Sequence, residues 1–325
     1  MTQSAEPILQ VRDLKIDFSA DQGILPVLRG LSYSLPKGRV LGVVGESGSG
    51  KTVHALSILR LLPPAARISG GEILYKGKNL ASMGEEELRS VRGDKISMIF
   101  QDPSASLNPV LTVGEQLTET LLAHRKLSKR QARREAVALL EKVGISEAEK
   151  RLDEYPFQFS GGMCQRVMIA MALALSPDVL IADEPTTALD VTIQAQILAL
   201  IKQLQRQSGM SAVFITHNLA VVSGIADDVL VLYAGLCMEL APAAQLFETP
   251  LHPYTQGLLS SLASVHKKED VLPVITGHPP VPGQILTGCP FAPRCPHAFD
   301  KCRRECPPLF EEAGRRTRCW LREGK

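Results

Sequence analysis

Apolar and polar residues alternate over residues 8–18 and again over 31–35. A period of two is the pattern of a half-buried strand, so both stretches are expected in an antiparallel sheet that opens the fold, with residues 21–26 as the turn between them. Residues 40–44 form a continuous apolar run instead, which reads as a buried strand. Helical spacing takes over from Val53 to Leu62 and stops at Pro63-Pro64. Residues 70–79 read as a hairpin, and 95–100 as a strand ending at Gln101-Asp102-Pro103. From there to about Ser160 the texture is helical and polar. Ala136, Leu139, Leu140 and Val143 share one face of an amphipathic helix, and Lys129, Arg130, Arg133 and Arg134 read as a solvated charged face. The apolar run 163–175 leads to two more buried strands, 179–182 and 211–215, each delivering a polar residue at its end.

Composition narrows the class. A chain of 325 residues suggests about two domains. A net charge of +2 gives no basic excess of the kind nucleic-acid partners require. No uninterrupted apolar run of ~18 residues occurs, so no bilayer-spanning helix is expected. Residues 1–10 lack a basic-then-apolar signal, which places the chain on the cytosolic side. Cysteine usage is lopsided: Cys164 and Cys237 precede residue 289, while Cys289, Cys295, Cys302, Cys306 and Cys319 crowd the end. In a reducing compartment that clustering favours metal over disulfides.

The chemistry centres on Gly45-Glu46-Ser47-Gly48-Ser49-Gly50-Lys51-Thr52, which matches the phosphate-loop pattern between a strand and a helix. The glycines let successive N–H groups converge on one anion, and the helix N-terminus adds positive potential. Lys51 is expected to reach the β- and γ-phosphates and the Thr52 hydroxyl to bind Mg²⁺. Asp183-Glu184 end the strand 179–182; Asp183 would hold Mg²⁺ through its waters, and Glu184 could deprotonate the water that attacks the γ-phosphate. Ser160 reads as an N-cap, with Gly161 and Gly162 exposing N–H groups for a second anion. His217, at the end of the strand 211–215, could hydrogen-bond the γ-phosphate. Phe18 is either an adenine-stacking face or a core residue.

In this order the parts resemble the ATP-binding subunit of an ABC transporter, over roughly residues 6–260. The resemblance implies a P-loop NTPase of the α/β class with a mixed β-sheet core, an antiparallel β subdomain and a helical subdomain. It makes Gln101 the Q-loop glutamine and a Mg²⁺ contact beside Thr52 and Asp183. Residues 160–165 become the signature, Ala188-Leu189-Asp190 the D-loop and His217 the switch histidine. Met163 stands where the family's signature ends in Gln, and Gln165 follows two residues later. Two such subunits would sandwich two ATP molecules head to tail, the signature and Asp190 acting on the partner's nucleotide. The wording of residues 100–109, the run 183–197 and His252-Pro253-Tyr254-Thr255 resemble the dipeptide/oligopeptide/nickel importer group, above all the D-type ATPase subunit of dipeptide importers. That likeness implies a second, non-identical ATPase, two membrane permease subunits, an extracytoplasmic binding protein, and a place on the cytoplasmic face of the inner membrane. The insert 102–160 would receive a coupling helix. Ribosome- or chromosome-tending ABC ATPases fit poorly: no coiled coil interrupts the cassette, and only one phosphate loop is present.

Residues 251–325 are expected to extend a nucleotide-binding domain of residues 1–250. Residues 271–288 read as an irregular linker rich in Pro and Gly, followed by Cys289-x5-Cys295-x6-Cys302-x3-Cys306 and, after twelve more residues, Cys319. A polar segment with so little apolar content calls for a staple, and four thiolates suit zinc or an iron–sulfur centre alike. The tail resembles that of peptide-importer ATPases carrying a 4Fe–4S cluster, which implies Cys289, Cys295, Cys302 and Cys319 as ligands, with Cys306 replacing Cys319 in the alternative set.

Overall fold

The computed structural model describes residues 6–324 apart from 22, 188, 267–274 and 282–286, and the side chains of these apart from 104 and 262–266. The chain forms two compact units. One joins Met1–Ser82 to Phe214–Lys325, and the other is Met83–Val213.

The first unit opens with β1 (Leu9–Ala20) and β2 (Gly23–Leu35), followed by β3 (Val40–Val44), β4 (Ala66–Tyr75) and β5 (Lys78–Asn79). Strands β2-β1-β4-β5 form an antiparallel sheet, as the alternation predicts. The expected turn over residues 21–26 is too long, because β2 already begins at Gly23; Gln22 lies outside the described residues. Pro26 suggests a break, yet it pairs with Asp17 at a register shift on the edge strand, where a missing N–H costs no ladder bond. All five residues of β3 are buried.

The helix after the phosphate loop runs Lys51–Ile58, earlier at both ends than its apolar spacing suggests. Arg60 takes φ 52, and Leu61 N–H closes back onto the Leu56 carbonyl at 2.9 Å. That left-handed cap ends the helix before either proline is reached.

In the second unit β6 (Ile96–Ile99) and β7 (Val179–Asp183) pair in parallel. The expected helical texture resolves into helices that include Val113–His124, Lys129–Lys142 and Gly161–Leu173. Thr112 with Glu115 and Ser128 with Gln131 form capping boxes, each satisfying two otherwise orphaned N–H groups. Ala132, Ala136 and Leu140 are buried as the helical period predicts. Lys129, Arg130 and Arg134 are exposed, whereas Arg133 holds Asp153 with both Nη atoms at 2.9 Å.

Strand β8 (Ser211–Thr216) crosses the division between the units. The chain then returns to the first unit with β9 (Asp228–Tyr233), parallel to β3, and β10 (Leu236–Pro242), antiparallel to β9. The cysteine-rich segment belongs to this unit. It ends in the hairpin of β11 (Phe310–Glu312) and β12 (Arg315–Thr317), and β12 pairs with β10 through Glu239 and Thr317. Tyr233, Tyr254 and Phe291 pack ring against ring, with centroids 4.7 to 5.5 Å apart, in the same core as Val44 and Val231. Residues 275–281 and 287–288 of the expected linker carry no helix or strand; the rest of the linker lies outside the described residues.

Candidate active site

The phosphate loop leaves β3 at Gly45, whose Cα lies so close to the Leu232 carbonyl that a Cβ there would overlap it. Gly50 takes φ 102 and turns the chain into the helix. Only glycine meets both demands cheaply. Ser49 is buried, Ser47 and Gly48 are exposed, and the Gly235 N–H donates to the Ser49 carbonyl at 3.0 Å. Lys51 is buried, and its ammonium donates to the carbonyls of Gly45 at 2.8 Å and Glu46 at 3.0 Å. Thr52, in the first helical turn, is exposed. On the buried face of this helix, desolvation holds His54 neutral and lowers its pKa to about 4.

In the second unit, Asp183 is the buried last residue of β7, and half-buried Glu184 follows with φ 46. A glutamate in the left-handed region carries strain of about 1 kcal/mol, tolerated where the side chain must be aimed. Two groups aim it. Gln101 Nε2 donates to Glu184 Oε2 at 3.2 Å, and the Thr187 hydroxyl donates to the same oxygen at 2.9 Å. The structure thus brings Gln101 and Glu184 together, as candidates for one reaction should be. The sequence reading missed Thr187, whose only signal was its place three residues after the carboxylate.

Ser160 caps the helix Gly161–Leu173 as expected, accepting the Met163 N–H at 3.3 Å. Ser160 and Gly161 are exposed, and Gly162 is half-buried against the helix Val191–Ser208. Gln165 is 1% exposed, so its amide faces inward and does not stand in for the glutamine missing at Met163. Exposed Asp190 caps the helix Val191–Ser208, accepting the Ile193 N–H at 2.9 Å. Of its D-loop neighbours, Ala188 lies outside the described residues. In the first unit His217 is exposed just beyond β8, and Phe18 is half-buried on β1 opposite Leu25 and Ala66. That setting leaves Phe18 a face for stacking while it packs.

Residues 28–187 match the ABC transporter family, and residues 238–302 match the oligopeptide/dipeptide transporter C-terminal region. Over 320 residues the chain is 48% identical to the dipeptide transport ATP-binding protein DppD of Bacillus subtilis strain 168, covering 98% of this chain and 96% of that one. The chain belongs to the ABC transporter ATPases. The oligopeptide transport ATP-binding protein OppD of Escherichia coli K12 is 47% identical, covering 98% and 94% of the two chains. Among solved structures, the dimeric ATP-binding cassette MJ0796 with ADP and Pi superposes with a TM-score of 0.65 at 27% identity, over 72% of this chain and 98% of that one. As a member of this family the chain is an ATPase, and ATP with Mg²⁺ is its expected ligand pair. Among the described residues no helix is long and apolar enough to cross a membrane.

In this ABC ATPase none of the seven cysteines forms a disulfide. Cys289, Cys295, Cys302 and Cys319 line one narrow cavity together with His252, Phe291 and Trp320. Cys306 is not in that lining, but it neighbours Cys289 and, like Cys289 and Cys295, packs against the aromatic core. Burial pushes the Cys289 thiol up to about 12 and raises Cys295 and Cys319 as well. Among the described residues no group of three or more His, Cys, Asp or Glu side chains is gathered closely enough to hold a single metal ion.

Proposed function

We propose that this ATPase drives import of di- or oligopeptides through a membrane permease. The observation that carries the reading is the match of residues 238–302 to the oligopeptide/dipeptide transporter C-terminal region, within a full-length likeness to DppD and OppD. In this reading residues 1–250 work as the nucleotide-binding domain, with 102–160 as its helical insert, and 251–325 as an accessory segment. The working unit pairs this chain with a second homologous ATPase beneath two permease subunits and a substrate-binding protein, on the cytoplasmic face of the membrane.

The roles follow from the chemistry of each side chain. The loop Gly45–Thr52 wraps the phosphates, and Phe18 stacks on the adenine. Thr52, Gln101 and Asp183 offer the hard oxygen donors that suit Mg²⁺, which would screen the phosphate charge. Glu184 takes the proton of the attacking water while Gln101 fixes its aim, and His217 bonds the γ-phosphate. Ser160, Gly161, Gly162 and Asp190 act on the partner's ATP. Loss of the γ-phosphate removes that contact and lets the pair open.

The cysteine segment holds a 4Fe–4S cluster as a structural staple, ligated by Cys289, Cys295, Cys302 and Cys319. What supports this set is its shared cavity, which leaves Cys306 aside. Zinc needs its four thiolates about 2.3 Å from one point. Thiols spread around a space suit a larger polynuclear group instead.

ATP turnover by the complex co-purified with this chain, titrated with its binding protein, tests the transport reading. Binding protein loaded with a dipeptide should stimulate hydrolysis above the empty form. Indifference to peptide would overturn the substrate assignment, and stimulation by nickel-loaded protein would replace it.

A further inference from the structure

A carboxylate is a poor choice inside a loop that must attract a polyanion, because each phosphate charge is repelled by it. Glu46 is such a carboxylate, and the segment around the cysteines supplies its counter-charge. Arg294 meets Glu46 end-on, Nη1 to Oε2 at 2.7 Å and Nη2 to Oε1 at 3.1 Å. Its side chain is 6% exposed and that of Glu46 24%, so water screens the pair weakly.

The arginine is itself fixed. Its remaining donors go to the Thr276 carbonyl at 3.1 Å, the Tyr233 hydroxyl at 3.2 Å and the Ile275 carbonyl at 3.3 Å. All five guanidinium N–H groups therefore have acceptors, which makes the fork rigid. Glu46 is held just as fully. Its N–H donates to the Tyr254 hydroxyl at 3.0 Å, and its carbonyl accepts from Lys51 Nζ at 3.0 Å. Tyr233 and Tyr254, which touch both ends of this arrangement, pack on each other and on Phe291.

We infer that the C-terminal segment completes the phosphate loop: Arg294 is a positioning residue that neutralises Glu46 and sets the loop for ATP. This rests on the reading of Gly45–Thr52 as the ATP site. It adds that the site is unfinished without a residue from the far end of the chain, and that the residue next to Arg294 is Cys295, a wall of the thiol cavity. Structure in the cysteine segment and affinity at the phosphate loop are thereby one property.

The test is equilibrium binding of ATP and ADP to the full-length chain and its variants, each checked by thermal unfolding. Arg294→Gln should weaken ATP about tenfold or more, and ADP less, since fewer phosphate charges meet the bared carboxylate. Removing that carboxylate as well, in Glu46→Gln/Arg294→Gln, should return ATP affinity to within about threefold of wild type. A merely structural arginine gives no such rescue. A double variant as weak as Arg294→Gln, or an Arg294→Gln chain that binds ATP normally, would overturn the inference. If Arg294→Gln does not fold, Arg294→Lys takes its place: charge is kept and the two-point grip lost, so an intermediate ATP affinity is expected and a wild-type value counts against the role. Lys51→Ala separates the two levels of the argument. Lost binding there with normal binding in Arg294→Gln removes only the inference, whereas normal binding in Lys51→Ala removes the ATP reading of the loop itself.

Discussion

His54 Nε2 and the Tyr33 hydroxyl share a hydrogen bond of 2.7 Å, with both side chains buried and the rings edge to face. The bond ties the helix behind the phosphate loop to β2, and among the described residues His54 Nδ1 has no hydrogen-bond partner. Protonating that ring would bury a charge, so its pKa falls to about 4 from 6.5. Between those values the unfolded chain binds the proton and the folded chain does not. Stability is therefore full above pH 6.5 and declines toward pH 4, by about 2 kcal/mol for this residue between pH 7.5 and 5. Buried His252, lowered to about 3, adds in the same direction. Thermal unfolding at the two pH values should show a smaller decline in His54→Gln than in wild type. Equal declines would remove His54 as a source of acid lability.

Glu184 is aimed by Gln101 and Thr187 and held in a strained backbone conformation, as a general base should be. Glu184→Gln should keep ATP binding and lose at least about 100-fold in hydrolysis, the usual worth of general-base catalysis. Thr187→Val removes only one aiming bond, so a smaller loss of about tenfold is expected, in turnover and not in affinity. Single-turnover hydrolysis beside nucleotide titration separates the two effects; near-normal turnover in Glu184→Gln would place the base elsewhere.

The proposed 4Fe–4S centre would make an anaerobically purified chain brown, with an absorption band at about 400 nm. Cys289→Ser and Cys302→Ser should lose the colour, and Cys306→Ser should keep it. Iron, sulfide and zinc analysis on the same samples decides the matter, because colourless protein with stoichiometric zinc would exclude the cluster.

Glu239 is fully buried on β10 and accepts the N–H groups of Leu251 and His252, both at 2.9 Å. Arg315, on β12, supplies its charge partner at 3.0 Å. Arg315→Met strands a buried carboxylate and should cost about 3–5 kcal/mol, seen as a lower thermal midpoint. Adding Glu239→Gln should recover part of that loss. An unchanged midpoint in Arg315→Met would show that the pair contributes nothing to stability.

Legibility in the sequence followed distance along the chain. The phosphate loop is eight adjacent residues whose spacing carries its own geometry, and Ser160 and Asp183-Glu184 sit beside their helix and strand for the same reason. The end of the first helix was harder, because Arg60 adopts a left-handed cap usually taken by glycine, and nothing local announces that. Pro26 misled because its tolerance depends on β2 being an edge, a property of the assembled sheet. Glu46 stands at a position of the loop motif where any residue is allowed. Its meaning lies in Arg294, and no periodicity joins residues so far apart.

That separation is 248 positions, and it gives the site a history. At about 5–20 residues per second, a ribosome needs roughly 12 to 50 s to travel from Glu46 to Arg294. Throughout that interval the growing chain carries a phosphate loop with an uncompensated negative charge. Nucleotide affinity is thus among the last properties acquired during synthesis, and a chain released before residue 294 never acquires it in full.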